Sequence, residues 1–213
     1  MTKIKICGLK LKNDFEFVAS LNVDYAGIIF VENVKRQIST TEAEKISDAM
    51  NKISNPPKLV GLFADQKLEY IKKIYHRYGL DHVQLCGSEN EEFLNELDIP
   101  FIKQIKLKNN INFQEIFNQI EFVKSIGGLV SIDTYKEGHY GGSGKLINLS
   151  DAKKIINKYK VFLSGGLNSD NITNIIETIN PWAVDVSSGV ELNNKKNMNK
   201  IEKFVNNVRS VKN

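Results

Sequence analysis

Short apolar runs that end in glycine or polar residues recur along the chain, separated by stretches with helical periodicity. The runs are IKIC (4–7), YAGIIF (25–30), LVGLF (59–63), HVQLC (82–86), FIKQIKL (101–107), GLVSID (128–133), VFLSG (161–165) and AVDVSS (183–188). Between and after them lie amphipathic segments at 14–22, 39–53, 67–79, 90–97, 113–125, 150–159, 169–179 and 198–211. Helix signals support several of these. Asp14 reads as an N-cap, Thr40 or Thr41 stands before acidic residues, and Gly79 reads as a C-cap.

Alternating strand and helix predicts parallel strands joined by right-handed crossovers. The strands are apolar almost throughout, as expected of a sheet covered on its outer face. An open doubly wound sheet and a closed barrel both use such a pattern. The even spacing, the count of eight and the absence of a long insertion favour one (β/α)8 TIM barrel over residues 1–213. The SNPP stretch at 54–57 reads as a helix-to-strand turn rather than a linker.

Composition narrows the function. The chain is 41% hydrophobic and 25% charged, with a net charge of +4 spread over Lys-rich helices, as in an ordinary globular protein. Its basic residues do not alternate with aromatics as a nucleic-acid channel requires, so no nucleic-acid partner is expected. No apolar run reaches a membrane span, and MTKIKICG lacks the apolar core of a secretory signal. With two cysteines in 213 residues, a reducing, cytoplasmic setting is expected, with neither disulfide nor metal site. Cys7 and Cys86 belong to strands nearly opposite one another in a barrel, too far apart to bridge.

A barrel gathers its chemistry at the C-terminal ends of its strands. Unusual residues stand there: Cys7, Asp65, Cys86 and Asp133, with Arg36 in the second loop. Three small-residue turns follow strands six, seven and eight: YGGSGK (140–145), LSGGLN (163–168) and VSSGVE (186–191). Such turns let backbone N–H groups converge on an oxyanion, and barrels bind substrate phosphate near strands seven and eight. A small phosphorylated substrate is therefore expected. Asp133 can be a general acid or can cap its own turn through Thr134, and Cys7 can be a base or a small buried hydrophobe. His76 falls in a basic helix, His82 at the wrong end of its strand, and His139 in a loop on the active rim.

In order, KIKICGL, YAGIIFVENVKRQIS, KLVGLF, HVQLCG, LVSID, YGGSGKLIN, FLSGGLN and AVDVSSGVE resemble the motifs of phosphoribosylanthranilate isomerases, the (β/α)8 enzymes of tryptophan biosynthesis. The resemblance runs from residue 3 to about residue 191. It implies an Amadori rearrangement with no metal or organic cofactor, Cys7 acting as general base and Asp133 as general acid. Arg36 would meet the substrate carboxylate. Phosphate would rest on Gly142, Ser143 and Gly144, on Gly165 and Gly166, and on Ser188 and Gly189, with Asp185 either orienting substrate or fixing its loop. A homodimer or association with other tryptophan-pathway enzymes is left open.

One departure stands out. The family usually reads QLHG after strand four, whereas this chain reads QLCG, with Cys86 in the His position. Among related barrels, an epimerase would need metal ligands that these histidines do not supply. The histidine-pathway isomerase carries Asp where this chain has Cys7, and indole-glycerol-phosphate synthase needs a Lys pair unlike Lys103 and Lys106. A non-catalytic phosphoribosyl-binding module remains the rival from another class.

Overall fold

The computed structural model describes residues 1–108, 111–134 and 148–211. Eight parallel strands close into a barrel in sequence order: β1 (Lys3–Cys7), β2 (Tyr25–Ile29), β3 (Lys58–Phe63), β4 (His82–Leu85), β5 (Phe101–Leu107), β6 (Leu129–Thr134), β7 (Phe162–Leu163) and β8 (Ala183–Val186). The ring closes through β1 and β8, with Lys5 opposite Asp185 and Ile6 opposite Val186. The open-sheet alternative is thereby excluded. Helices α1 (Lys12–Ser20), α2 (Thr40–Met50), α3 (Leu68–Tyr78), α4 (Glu91–Glu96), α5 (Phe113–Ser125), α6 (Leu149–Ile156), α7 (Ile172–Ile179) and α8 (Met198–Ser210) follow the strands. None of the described helices is long and apolar enough to cross a membrane.

Alternation along the strands splits the apolar residues into two cores. One joins outward-facing residues such as Ile4, Ile6, Ile28, Phe63 and Ile132 to the helices, and the other fills the barrel with Tyr25, Val60, Leu62, Ile102, Phe162 and Ala183. This is why the strands read as apolar throughout: both faces are covered. The N-terminal end of the barrel is closed by aromatic edges, Tyr25 against Phe162 at 5.1 Å and Phe162 against Trp182 at 5.1 Å. His82 packs edge-on against Tyr25 at this end, away from the C-terminal rim.

Local capping differs from the expectation at two helices. Asp14 lies inside the first turn of α1 rather than at its N-cap, where Leu11 stands without a side-chain cap. The Lys12 amide instead donates to Glu42 Oε2 of the neighbouring helix, a tertiary contact that replaces a local cap. In α2 the N-cap is Ser39, whose Oγ accepts from the Glu42 amide, so neither Thr40 nor Thr41 takes that role. Gly79 does end α3, in the left-handed conformation.

Beyond β8 the chain makes a 3-10 turn, Ser188–Val190, and then a small hairpin of β9 (Glu191–Leu192) and β10 (Lys195–Lys196). Asn193 and Asn194 take positive φ at its tip, as a tight hairpin turn requires and as Asn tolerates. The hairpin brings Glu191, Asn194 and Lys196 to the rim of the barrel.

Candidate active site

A cavity of about 800 Å³ opens at the C-terminal end of the barrel, within the size range of small-molecule sites. Cys7, Arg36, Asp133, Gly165, Gly166, Asp185 and Ser188 all line it. The tertiary structure thus brings together residues that are up to 181 positions apart, from Cys7 to Ser188. Gly189 does not join them. It packs on the carbonyl of Leu167, where any side chain would collide with backbone, so its glycine serves the turn. Gly142, Ser143, Gly144 and His139 lie outside the described residues.

Cys7 is the last residue of β1 and points into the barrel, 4% exposed. Gly27, its register partner on β2, makes room for it: a Cβ there would come within 2.9 Å of the sulfur. The thiol is buried among apolar side chains and also borders the cavity, a position compatible with either a base or a small buried hydrophobe. Burial pushes the thiol above its ordinary range, while the ammonium groups of Lys5 and Lys196 oppose that rise. Cys86 lies just past β4, buried but also bordering the cavity, and burial pushes its thiol to about 12, leaving it neutral. The side-chain amide of Gln84 donates to its sulfur at 3.7 Å. Both cysteines are free thiols.

Asp133 sits near the end of β6, 4% exposed. Its Oδ1 accepts from the Thr134 amide at 2.7 Å, the local cap anticipated from sequence, and its Oδ2 accepts from Gln104 Nε2 at 3.2 Å. Burial raises this carboxyl to about 6; the Thr134 amide and Lys106 hold it down, and Asp185 adds to the rise. A carboxyl poised there exchanges a proton near neutral pH, as a general acid must.

Arg36 reaches the rim from the loop after β2. Its guanidinium forks onto Glu191, with Nε at 2.6 Å from Oε1 and Nη2 at 3.0 Å from Oε2. Lys196 joins the same carboxylate at 3.0 Å and also donates to the Ser187 carbonyl. Two cations thus share one anion, so the Arg36–Glu191–Lys196 group carries a formal charge of +1 beside the cavity, whose wall Arg36 and Glu191 line. Burial lowers the Lys196 ammonium despite its partner, whereas Glu191, though burial would raise it, is held below its usual value by Arg36 and Lys196. Neither Glu191 nor Lys196 was legible as a site residue, because only the hairpin turns them inward. The Asn193–Asn194 pair was the available sign of that turn.

At the opposite wall, Gly165 and Gly166 both take positive φ, +98° and +66°. A Cβ at Gly165 would come within 2.8 Å of Asp133 Oδ1, so this loop approaches the acid closely. The Asn168 and Asn171 side chains brace the loop: Asn171 donates to the Gly166 carbonyl and accepts from the Asn168 amide. The Gly165 and Gly166 amides have no acceptor among the described residues, an arrangement suited to an oxyanion. On the floor, Lys5 and Asp185 form a buried ion pair at 2.7 Å. The Oε1 atoms of Gln84 and Gln104 and Oδ1 of Asp185 are buried without hydrogen-bond partners, and all three side chains border the cavity.

A family model described as N-(5'-phosphoribosyl)anthranilate (PRA) isomerase matches residues 4–207. The chain is similar to the N-(5'-phosphoribosyl)anthranilate isomerase of Dehalococcoides mccartyi, with 35% identity over 214 residues covering 99% of this chain and 97% of that protein. It also resembles the crystal structure of phosphoribosyl anthranilate isomerase from Thermotoga maritima, with a TM-score of 0.85, 28% identity and coverage of 99% and 100% of the two chains. A crystal structure of phosphoribosyl anthranilate isomerase in complex with reduced 1-(o-carboxyphenylamino)-1-deoxyribulose 5-phosphate matches with a TM-score of 0.79, 28% identity and the same coverage.

Proposed function

The chain belongs to the N-(5'-phosphoribosyl)anthranilate isomerase family, and we propose that Cys7 and Asp133 are the base and acid with which it rearranges N-(5-phosphoribosyl)anthranilate to 1-(2-carboxyphenylamino)-1-deoxyribulose 5-phosphate. The observation that carries this reading is the meeting of a buried thiol and a carboxyl raised to about 6 in one cavity that also has a cationic wall and a glycine wall.

Asp133 gives its proton to the ribose ring oxygen as the C1'–O bond breaks, and the anilino nitrogen lone pair forms the C=N bond of a protonated Schiff base. The Cys7 thiolate then removes the proton on C2', and the released electron pair becomes the C1'=C2' bond while the nitrogen regains its lone pair. The resulting enolamine tautomerises to the ketone: the C2' hydroxyl gives up its proton as the C2'=O bond forms, and C1' takes one up. No electron leaves or enters the substrate. The substrate carboxylate faces the net positive group of Arg36, Lys196 and Glu191, for which the guanidinium fork is well shaped. The phosphate faces the amides of Gly165, Gly166 and Ser188.

A fluorescence assay tests the reading. Phosphoribosylanthranilate mixed with the protein loses its fluorescence with multiple turnovers; binding without conversion would favour a phosphate-binding module instead.

Between the carboxyl near 6 and the higher thiol, the pair holds one proton. At rest that proton is on sulfur, and in the reacting arrangement it is on Asp133. The proton count is the same in both, so kcat/KM is flat over this interval. It falls below about 6, where a second proton occupies the base, and falls again above the thiol's value, where the acid is lost. Gln104→Leu removes a donor from ionised Asp133, so the acid limb is expected to move to higher pH. An unmoved limb would count against Asp133 as its source. Cys86→His replaces a thiol that stays neutral with a ring that titrates near neutrality, and the pH–rate curve is expected to change shape. Superimposable curves for the variant and the parent would remove Cys86 from the account.

A further inference from the structure

A base must lose its proton before it can act, and burial opposes that loss at Cys7. One pleat below it on β1, about 6.6 Å away along the strand, stands Lys5, facing the same way. Lys5 is fully enclosed, and its Nζ lies 2.7 Å from Oδ2 of Asp185, its register partner on β8. Asp185 and Cys7 both border the cavity, so the ammonium is pinned directly beneath its floor. A buried ion pair of this kind is a poor way to gain stability, because desolvating two charges offsets most of their attraction. Its place beside the proposed base calls for another explanation.

We propose that Lys5 is a positioning residue for the reaction, its ammonium serving as the built-in counter-charge of the Cys7 thiolate, and that Asp185 sets how much of this charge the sulfur feels. The proposal rests on the reading of Cys7 as the base. The ionisable groups that act on Cys7 come from several elements: Lys5 from β1, Asp185 from β8, Lys196 from β10, Arg36 from the loop after β2, and Cys86 from the end of β4. Arg36 and Lys196 are both engaged by Glu191 at the rim. Lys5 is set apart by its position inside the barrel, with no exposed surface. Burial would strip its proton, but Asp185, with Cys7 and Cys86 acting in the same direction, outweighs burial and keeps it charged. Its pull on the thiol is greater than the opposing push of Asp185.

The test reads the thiol directly. Cys7 borders an open cavity, so iodoacetamide reaches it, and peptide-resolved mass spectrometry counts it separately from Cys86. Plotted against pH, the alkylation midpoint of Cys7 is expected to rise by about one to three pH units in Lys5→Met. In Asp185→Asn it is expected to fall, because the ammonium then acts unopposed. The double variant has no unpaired buried charge and keeps the proposal testable should either single variant fail to fold; its midpoint is expected above that of the parent. Each unit of rise lowers kcat/KM tenfold at a pH below the midpoint. A merely structural ion pair would make both single variants move alike, and that result, or an unmoved double variant, would overturn the proposal. Alkylation needs no turnover, so an active Cys7→Ser would refute the base assignment while leaving this measurement intact.

Discussion

Asp133→Asn is expected to lower kcat by about two to four orders of magnitude, the contribution of a positioned acid, while making the protein more stable at pH 8. The two effects share one cause. The parent carboxyl is raised to about 6 in the folded state, against about 3.9 in an unfolded chain. Above the folded value the protein must hold a charge in a place that disfavours it, which costs on the order of 3 kcal/mol. As pH falls from about 6 toward 4 the group protonates in the folded state first, and the cost disappears. Asparagine is nearly isosteric and carries no charge. Its oxygen can accept from the Thr134 amide, and its N–H groups can meet the otherwise unpartnered Oε1 of Gln104. Denaturation of parent and variant at pH 8 and at pH 4 checks this: the variant's advantage should be present at the first and vanish at the second. An equal gap at both would show that the carboxyl is not held above its ordinary value.

Cys7→Ser is expected to cost a comparable two to four orders of magnitude in kcat, with KM little changed, because serine's hydroxyl does not ionise in the working range. The substitution keeps the shape of the side chain, and the space that Gly27 provides is unaltered. The Arg36–Glu191–Lys196 group and the glycine loop are built by other parts of the chain and remain in place. Substrate should therefore bind and stay fluorescent. A variant that turns over at the parent's rate would remove Cys7 from the mechanism; one that no longer binds would show that the sulfur holds the substrate rather than deprotonating it.

The strand–helix alternation was legible from periodicity because eight runs covered on both faces leave an apolar rhythm; the count of eight and the even spacing favoured the barrel over an open sheet, and the strand ends located Cys7, Asp133 and Asp185 within a residue or two. Helix starts were less legible. The start of α1 is capped by Glu42 from another helix, and no local pattern announces a partner 30 residues away. The same limit hid Glu191 and Lys196, which read as part of a polar stretch before the last helix until the hairpin places them against Arg36.

Identity and order of residues alone placed the candidate groups, Cys7, Asp65, Cys86 and Asp133, at strand ends with glycine turns close by. Tertiary structure decided their chemistry. A carboxyl acquires a value near 6, and a lysine stays charged inside a barrel, only when neighbours from distant strands replace water around them. That exchange of solvent for fixed charges is a property of the closed ring, and no stretch of the chain carries it by itself.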